Sequence, residues 1–160
     1  MEAPAQNNQI DDSSRESGYK YGVAWSDNFK IDCEVVDGQH KRLFEMVSEL
    51  VGSCMDGSDV VKIRDTLNFL ADYTVQHFDE EEELQLKYGY PDYENHKRLH
   101  EEFKAAVMKL IQQYIEHSSS AALSNDVNKF IVRWLVKHIM GEDKKIGRHI
   151  RQSLEPKPAS

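Results

Sequence analysis

The sequence predicts an all-α chain folded as an up-down-up-down antiparallel four-helix bundle with an N-terminal arm, and three observations carry that expectation. Apolar residues recur at three- and four-residue spacing through most of the 160 residues. Gly and Pro are sparse, 8 and 4, and three of the four prolines (Pro4, Pro156, Pro158) lie near the ends, so the middle can be mostly helical. The periodic runs are joined by short connections, which favour antiparallel neighbours, and neither strand alternation nor an internal repeat competes.

The segment 1–18 is polar, lacks the basic and apolar regions of a signal peptide, and reads as a disordered tail. Aromatic residues follow at Tyr19, Tyr21, Trp25 and Phe29. Helical periodicity begins near Gln39 and shows Leu43, Val47, Leu50 and Cys54 on one face. It stops at Asp56-Gly57-Ser58-Asp59, where Ser58 or Asp59 can cap the next helix. The second helix has the seam Val60, Ile63, Leu67, Leu70, Thr74, His77, Glu81, Leu84, Tyr88, whose inward stripe turns polar in its second half.

At Gly89-Tyr90-Pro91-Asp92 a helix-ending Gly, a Pro and a capping Asp mark a sharp loop. The third helix carries His96, Leu99, His100, Phe103, Val107, Leu110, Ile111 and Tyr114, and ends at Ser118-Ser119-Ser120. The fourth carries Leu123, Val127, Phe130, Ile131, Trp134, Leu135, His138, Ile139 and Ile146, up to Glu155-Pro156. The second to fourth helices, at roughly 26 to 30 residues each, would be about 40 to 45 Å long. Residues 19–150 thus form one bundle, and 151–160 a polar tail.

Composition excludes several classes of function. A net charge of −8, from 28 acidic against 20 basic residues, argues against nucleic acid and anionic membranes as partners. No stretch approaches the roughly 18 to 20 apolar residues that span a bilayer. Two cysteines, Cys33 and Cys54, make neither a disulfide framework nor a thiolate zinc site and fit the reducing cytoplasm.

Five of the seven histidines, His40, His77, His96, His100 and His138, lie on or beside the apolar stripes of four different helices. One such histidine is ordinarily a hydrogen-bonded core residue. Five without a shared partner would each cost desolvation, so a metal centre is the simpler reading. His96 and His100 are four apart on one helix face, as are His77 and Glu81. Within the acidic run 79–83 the seam selects Glu81; Asp79, Glu80, Glu82 and Glu83 read as a solvated face. After His138, simple periodicity favours Glu142, whereas a local widening of the helix around Gly141 would bring Asp143 inward. His117 and His149 read as surface residues.

Five imidazoles and two carboxylates are too many for one zinc and too nitrogen-rich for calcium or magnesium. They suit a pair of irons.

The motifs Asp37-Gly38-Gln39-His40, His77-Phe78-x-x-Glu81-Glu82-x-Leu84, Tyr90-Pro91 before His96-x-x-x-His100, and Trp134-Leu135-x-x-His138-Ile139-x-x-x-Asp143 resemble the hemerythrins, and among them the single-domain bacteriohemerythrins. The resemblance spans about Trp25 to Arg148. It implies reversible dioxygen binding at two iron ions (Fe2+/Fe3+) with an oxo or hydroxo bridge. His96, His100 and His138 would hold one iron, His40 and His77 the other, and Glu81 and Asp143 would bridge them. The two-histidine iron then keeps an open position for O2, in a pocket that by motif position is lined by Leu43, Trp134 and Leu135. It also implies that Tyr19, Tyr21 and Trp25 pack as an arm across the bundle. One departure is Leu84-Gln85 where the family commonly has Leu-Met; Gln85 lies one residue off the seam and reads as near-surface.

The expected function is O2 storage, delivery or buffering, with no enzymatic activity and no catalytic residue. The alternatives are a di-iron oxidase or peroxidase, whose sites are richer in carboxylates, and an O2 or redox sensor, which would ordinarily carry a signalling domain. Any protein partner is left open.

Overall fold

A computed structural model describes residues 23–117 and 119–156. The segment 1–18, expected as a disordered tail, and Tyr19 and Tyr21, expected in the arm, lie outside these residues. Among the described residues there are helices and no strand. After a single 3₁₀ turn, Asp27–Phe29, come α1 (Glu34–Met55), α2 (Val60–Lys87) and α3 (Tyr93–His117). The fourth helix is built of α4 (Ser120–Asp126), α5 (Arg133–His138) and α6 (Lys144–Leu154), joined without a break by π-helical turns at Val127–Val132 and Ile139–Asp143.

Local chemistry accounts for the ends. The Asp59 carboxylate accepts the Lys62 amide at 2.9 Å and caps α2, a contact that contributes about 1 kcal/mol. Gly89, at φ +62°, turns the chain out of α2 in the left-handed conformation that glycine adopts without strain. Asp92 opens α3 with its backbone carbonyl, which accepts from the His96 amide at 3.0 Å, while its carboxylate takes a bond from Asn95 Nδ2. The first helix begins at Glu34, earlier than apolar spacing indicates. Glu34 and Asp37 face its positive end, and the Asp37 carboxylate accepts from the Ile31 amide at 2.8 Å.

Each helix packs against its chain neighbours, and the fourth closes the ring against α1. The second half of α2 lies beside the first turns of α3 and the start of α1, so neighbours run antiparallel. The apolar core runs from Val36, Leu43, Phe44 and Leu50 through Ile63, Leu67 and Leu70 to Val107, Leu110, Val127 and Ile139. Phe130, expected on the inner stripe, is 58% exposed. The π turn at Val127–Val132 inserts an extra residue and rotates the phase, so that Val132 joins the expected Ile131 in the core in place of Phe130.

The arm crosses the far end of the fourth helix. Trp25 packs against Phe29 and Phe44, with ring centroids 5.8 and 5.9 Å away. The Ile31 side chain is buried, its carbonyl accepts from Arg151 at 3.0 Å, and Arg151 also pairs with Asp32 at 2.6 Å. A Cβ on Gly147 would stand 2.0 Å from the Ile31 carbonyl oxygen. Gly147→Ala therefore pushes the arm off the helix, and urea denaturation should show a loss of about 1–3 kcal/mol; unchanged stability would contradict this packing.

Candidate metal centre

α1 contributes His40, α2 His77 and Glu81, α3 His96 and His100, and the fourth helix His138 and Asp143. All seven side chains are buried; His40, Glu81, His100 and Asp143 are fully inaccessible. Their ligand atoms fall into two groups. His96, His100 and His138 present Nε2 atoms 3.0–3.1 Å from one another. His40 and His77 stand opposite, with Glu81 between the groups.

Both carboxylates present one oxygen to each group. Glu81 Oε1 is 2.8 Å from His96 Nε2 and 3.7 Å from His100 Nε2, while Oε2 is 3.7 Å from His77 Nε2. Asp143 Oδ1 is 3.0 Å from His138 Nε2 and 3.4 Å from His96 Nε2, and Oδ2 is 3.2 Å from His40 Nε2. Periodicity alone favours Glu142, but the π turn Ile139–Asp143 supplies the widening that brings Asp143 inward. Glu142 instead pairs with Lys145 at 2.7 Å.

Outer hydrogen bonds decide which ring nitrogens are free. His100 Nδ1 donates to Glu82 Oε1 at 3.0 Å, and a carboxylate can only accept, so His100 Nε2 carries a lone pair. The Gln39 amide nitrogen donates to Glu80, so its Oε1 accepts from His77 Nδ1 at 2.9 Å and leaves His77 Nε2 bare as well. Such partners orient ligands and raise their basicity. The solvated-face reading is thus corrected for two of four acids: Glu82 is buried and Glu80 half-buried, whereas Asp79 and Glu83 are exposed. The second helix turns enough of its surface under α1 and α3 to cover both.

Two further expectations are corrected. Gln85 is fully buried and bonds to Glu81 Oε1 at 3.0 Å; it lies one turn beyond Glu81, so the same helix face carries both. His149 is half-buried, with Nε2 2.9 Å from the Tyr88 carbonyl, because the end of the fourth helix packs over the α2–α3 loop. His117 is exposed. Leu43 and Leu135 lie in the core, while Trp134 is half-buried and stacks on His138 at 4.1 Å and on Phe103 at 4.0 Å. Phe78 stacks on His100 at 3.7 Å.

The donor set fits metal ions. His40 Nε2, Glu81 Oε2 and both Asp143 oxygens are buried without a hydrogen bond of good geometry. Such groups are costly unless a cation meets them. Burial lowers the proton affinity of His77, His96 and His100, which keeps these imidazoles neutral and ready to ligate. Burial and the neighbouring Asp143 push Glu81 up to about 8. Burial also opposes ionisation of Asp143, but His138 and His40 overcome it and hold that carboxyl well below its usual range.

Comparison with known proteins identifies the family and the fold. Residues 33–150 match the model of the hemerythrin HHE cation binding domain. The chain is 29% identical to a bacteriohemerythrin of Stenotrophomonas maltophilia over 132 residues, covering 82% of this chain and 84% of that one. It is 35% identical over 111 residues to a bacteriohemerythrin of Methylococcus capsulatus, 69% of this chain and 82% of the other. A crystal structure of wild-type hemerythrin superposes with a TM-score of 0.71 at 32% identity, covering 80% of this chain and 97% of that chain. With its family domain matched over most of its length and its fold shared with a solved hemerythrin, this chain belongs to the hemerythrin family.

Proposed function

We propose that the protein binds dioxygen reversibly at a non-haem pair of iron ions joined by an oxo or hydroxo bridge, for O2 storage, delivery or buffering and not for catalysis. One observation carries this reading: two carboxylates each turn one oxygen to a three-imidazole group and the other to a two-imidazole group. In this reading His96, His100 and His138 hold one ion, His40 and His77 the other, and Glu81 and Asp143 bridge them. When bound, the pair would supply the electrons that hold O2.

The rest falls to the chain. Glu82 and Gln39 keep His100 and His77 in the tautomer that ligates. Phe78 and Trp134, stacked on imidazole faces, restrict ring rotation and keep water from the three-histidine side. Leu43, Leu135 and Trp134 give the O2 site apolar walls in this reading. The buried Cys54 thiol, pushed up to about 11, stays protonated and does not compete for metal. Both cysteines are free, which suits the cytoplasm. Among the described residues no helix is long and apolar enough to cross a membrane. The five-imidazole donor set speaks against the carboxylate-rich oxidase alternative.

The test is iron content together with the visible spectrum of reduced protein in air and after degassing. Two irons per chain and a spectral change that reverses on degassing are expected; His77→Ala and Glu81→Ala should each hold fewer than two irons. No iron in the wild type, or oxidation that does not reverse, would overturn the proposal. Glu82→Leu frees the His100 ring and should weaken iron binding about 10–100-fold in chelator competition; unchanged affinity would remove Glu82 from the design.

The metal-free form has its own pH signature. Below about 6.5 the unfolded chain takes protons on His77, His96 and His100 that the folded chain refuses, so stability falls as pH falls. Between about pH 4.5 and 8 Glu81 acts in the opposite sense, and above about 6.5 it is no longer outweighed by the three histidines. It keeps its proton up to about 8 when folded and loses it near 4.5 when unfolded, so stability declines as pH rises toward 8. Urea midpoints of the metal-free protein should peak near pH 6.5 and drop at about pH 5 and about pH 8; a flat profile would contradict the buried arrangement.

A further inference from the structure

Beside the metal centre stands a buried amide outside the ligand set. Gln85 is completely inaccessible; its Nε2 donates to Glu81 Oε1 at 3.0 Å, while its own Oε1 has no hydrogen-bond partner. An amide left half unpaired in a closed interior is held there by its paired half. With metal bound the orientation is set by chemistry, because a bridging carboxylate only accepts and must meet the N–H side of the amide. The oxygen that receives this bond is the one facing His96 and His100. Oε2, turned toward His77, makes no hydrogen bond.

We propose that Gln85 is a positioning residue for the Glu81 bridge: it fixes which carboxylate oxygen faces which ion and draws charge from the oxygen on the three-imidazole side. This rests on the di-iron reading. Glu82 and Gln39 accept hydrogen bonds from ligand imidazoles and make them better donors. Gln85 works in the reverse direction, since an N–H donated to a ligand oxygen makes that oxygen a poorer donor. Poorer anionic donation favours the ferrous state, so the Gln85 bond raises the reduction potential of the pair.

The test compares iron-loaded full-length wild type with Gln85→Met, which keeps the bulk and removes the donor, by spectroelectrochemical titration. Q85M should keep two irons and show a negative shift of midpoint potential, read as an about three- to tenfold higher ferric-to-ferrous ratio at fixed potential. A fully loaded Q85M with an unchanged or more positive potential overturns the proposal. If Q85M fails to fold or load, proton exchange of the 15N-labelled Gln85 side-chain amide in the metal-free wild type decides. Exchange slower than in Glu81→Leu, which keeps the apolar enclosure and removes the acceptor, supports the bond, and equal exchange overturns it. A wild type that takes up no iron removes both this proposal and the di-iron reading; a reversible iron-loaded wild type with an insensitive Q85M removes this proposal alone.

Discussion

Removing five imidazoles and two carboxylates from water together is the constraint on which the rest of this structure depends. Each group costs free energy in an apolar interior unless something of opposite character meets it. Here the ligand atoms meet one another, the outer partners Gln39, Glu82 and Gln85, and few other polar groups. Several remain unpaired, and His40 Nε2, Glu81 Oε2 and both Asp143 oxygens among them are turned toward the middle of the cluster. Four helices must therefore hold their register to within a fraction of a turn. A shift by one residue on any of them would leave a carboxylate without its imidazoles.

The fourth helix shows how the backbone yields to that constraint. A regular helix would bring Glu142 round after His138; the π turn brings Asp143 instead, and Glu142 goes to the surface with Lys145. π turns are rare and cost hydrogen-bond geometry. This one is maintained where two side chains of a single helix, His138 and Asp143, must enter the same site. The other, at Val127–Val132, expels Phe130 and turns Val132 into the core beside Ile131, so the upper half of the helix stays in phase with α1.

The ends of the bundle are secured by different chemistry from its middle. The arm is fastened to α6 by a glycine that lets backbone meet helix and an arginine on a carbonyl, and to α1 by an aromatic cluster around Phe44. Through Trp25, whose ring centroid lies 6.5 Å from that of His40, this cluster reaches the two-imidazole group. Arm docking and the shape of the centre are thus mechanically connected.

Most of the helical plan and the convergence of polar side chains were legible in the sequence. Apolar spacing and turn residues are local, and seven polar residues in phase with apolar seams leave few architectures open. The early start of α1 was not legible, because Glu34 and Asp37 are placed by charge and by the returning arm, not by apolar repeat. Nor were the burial of Glu82 and Gln85 and the outward turn of Phe130. Periodicity treats a helix as having one inner face of fixed width. Only tertiary packing decides how far α1 and α3 wrap over α2, or where a π turn resets the phase of the fourth helix. The sequence by itself thus determined the helices and the residues that can meet. The folded structure decided which polar neighbours are shut in with them, because burial is a property of the whole set of packed surfaces and not of any one segment.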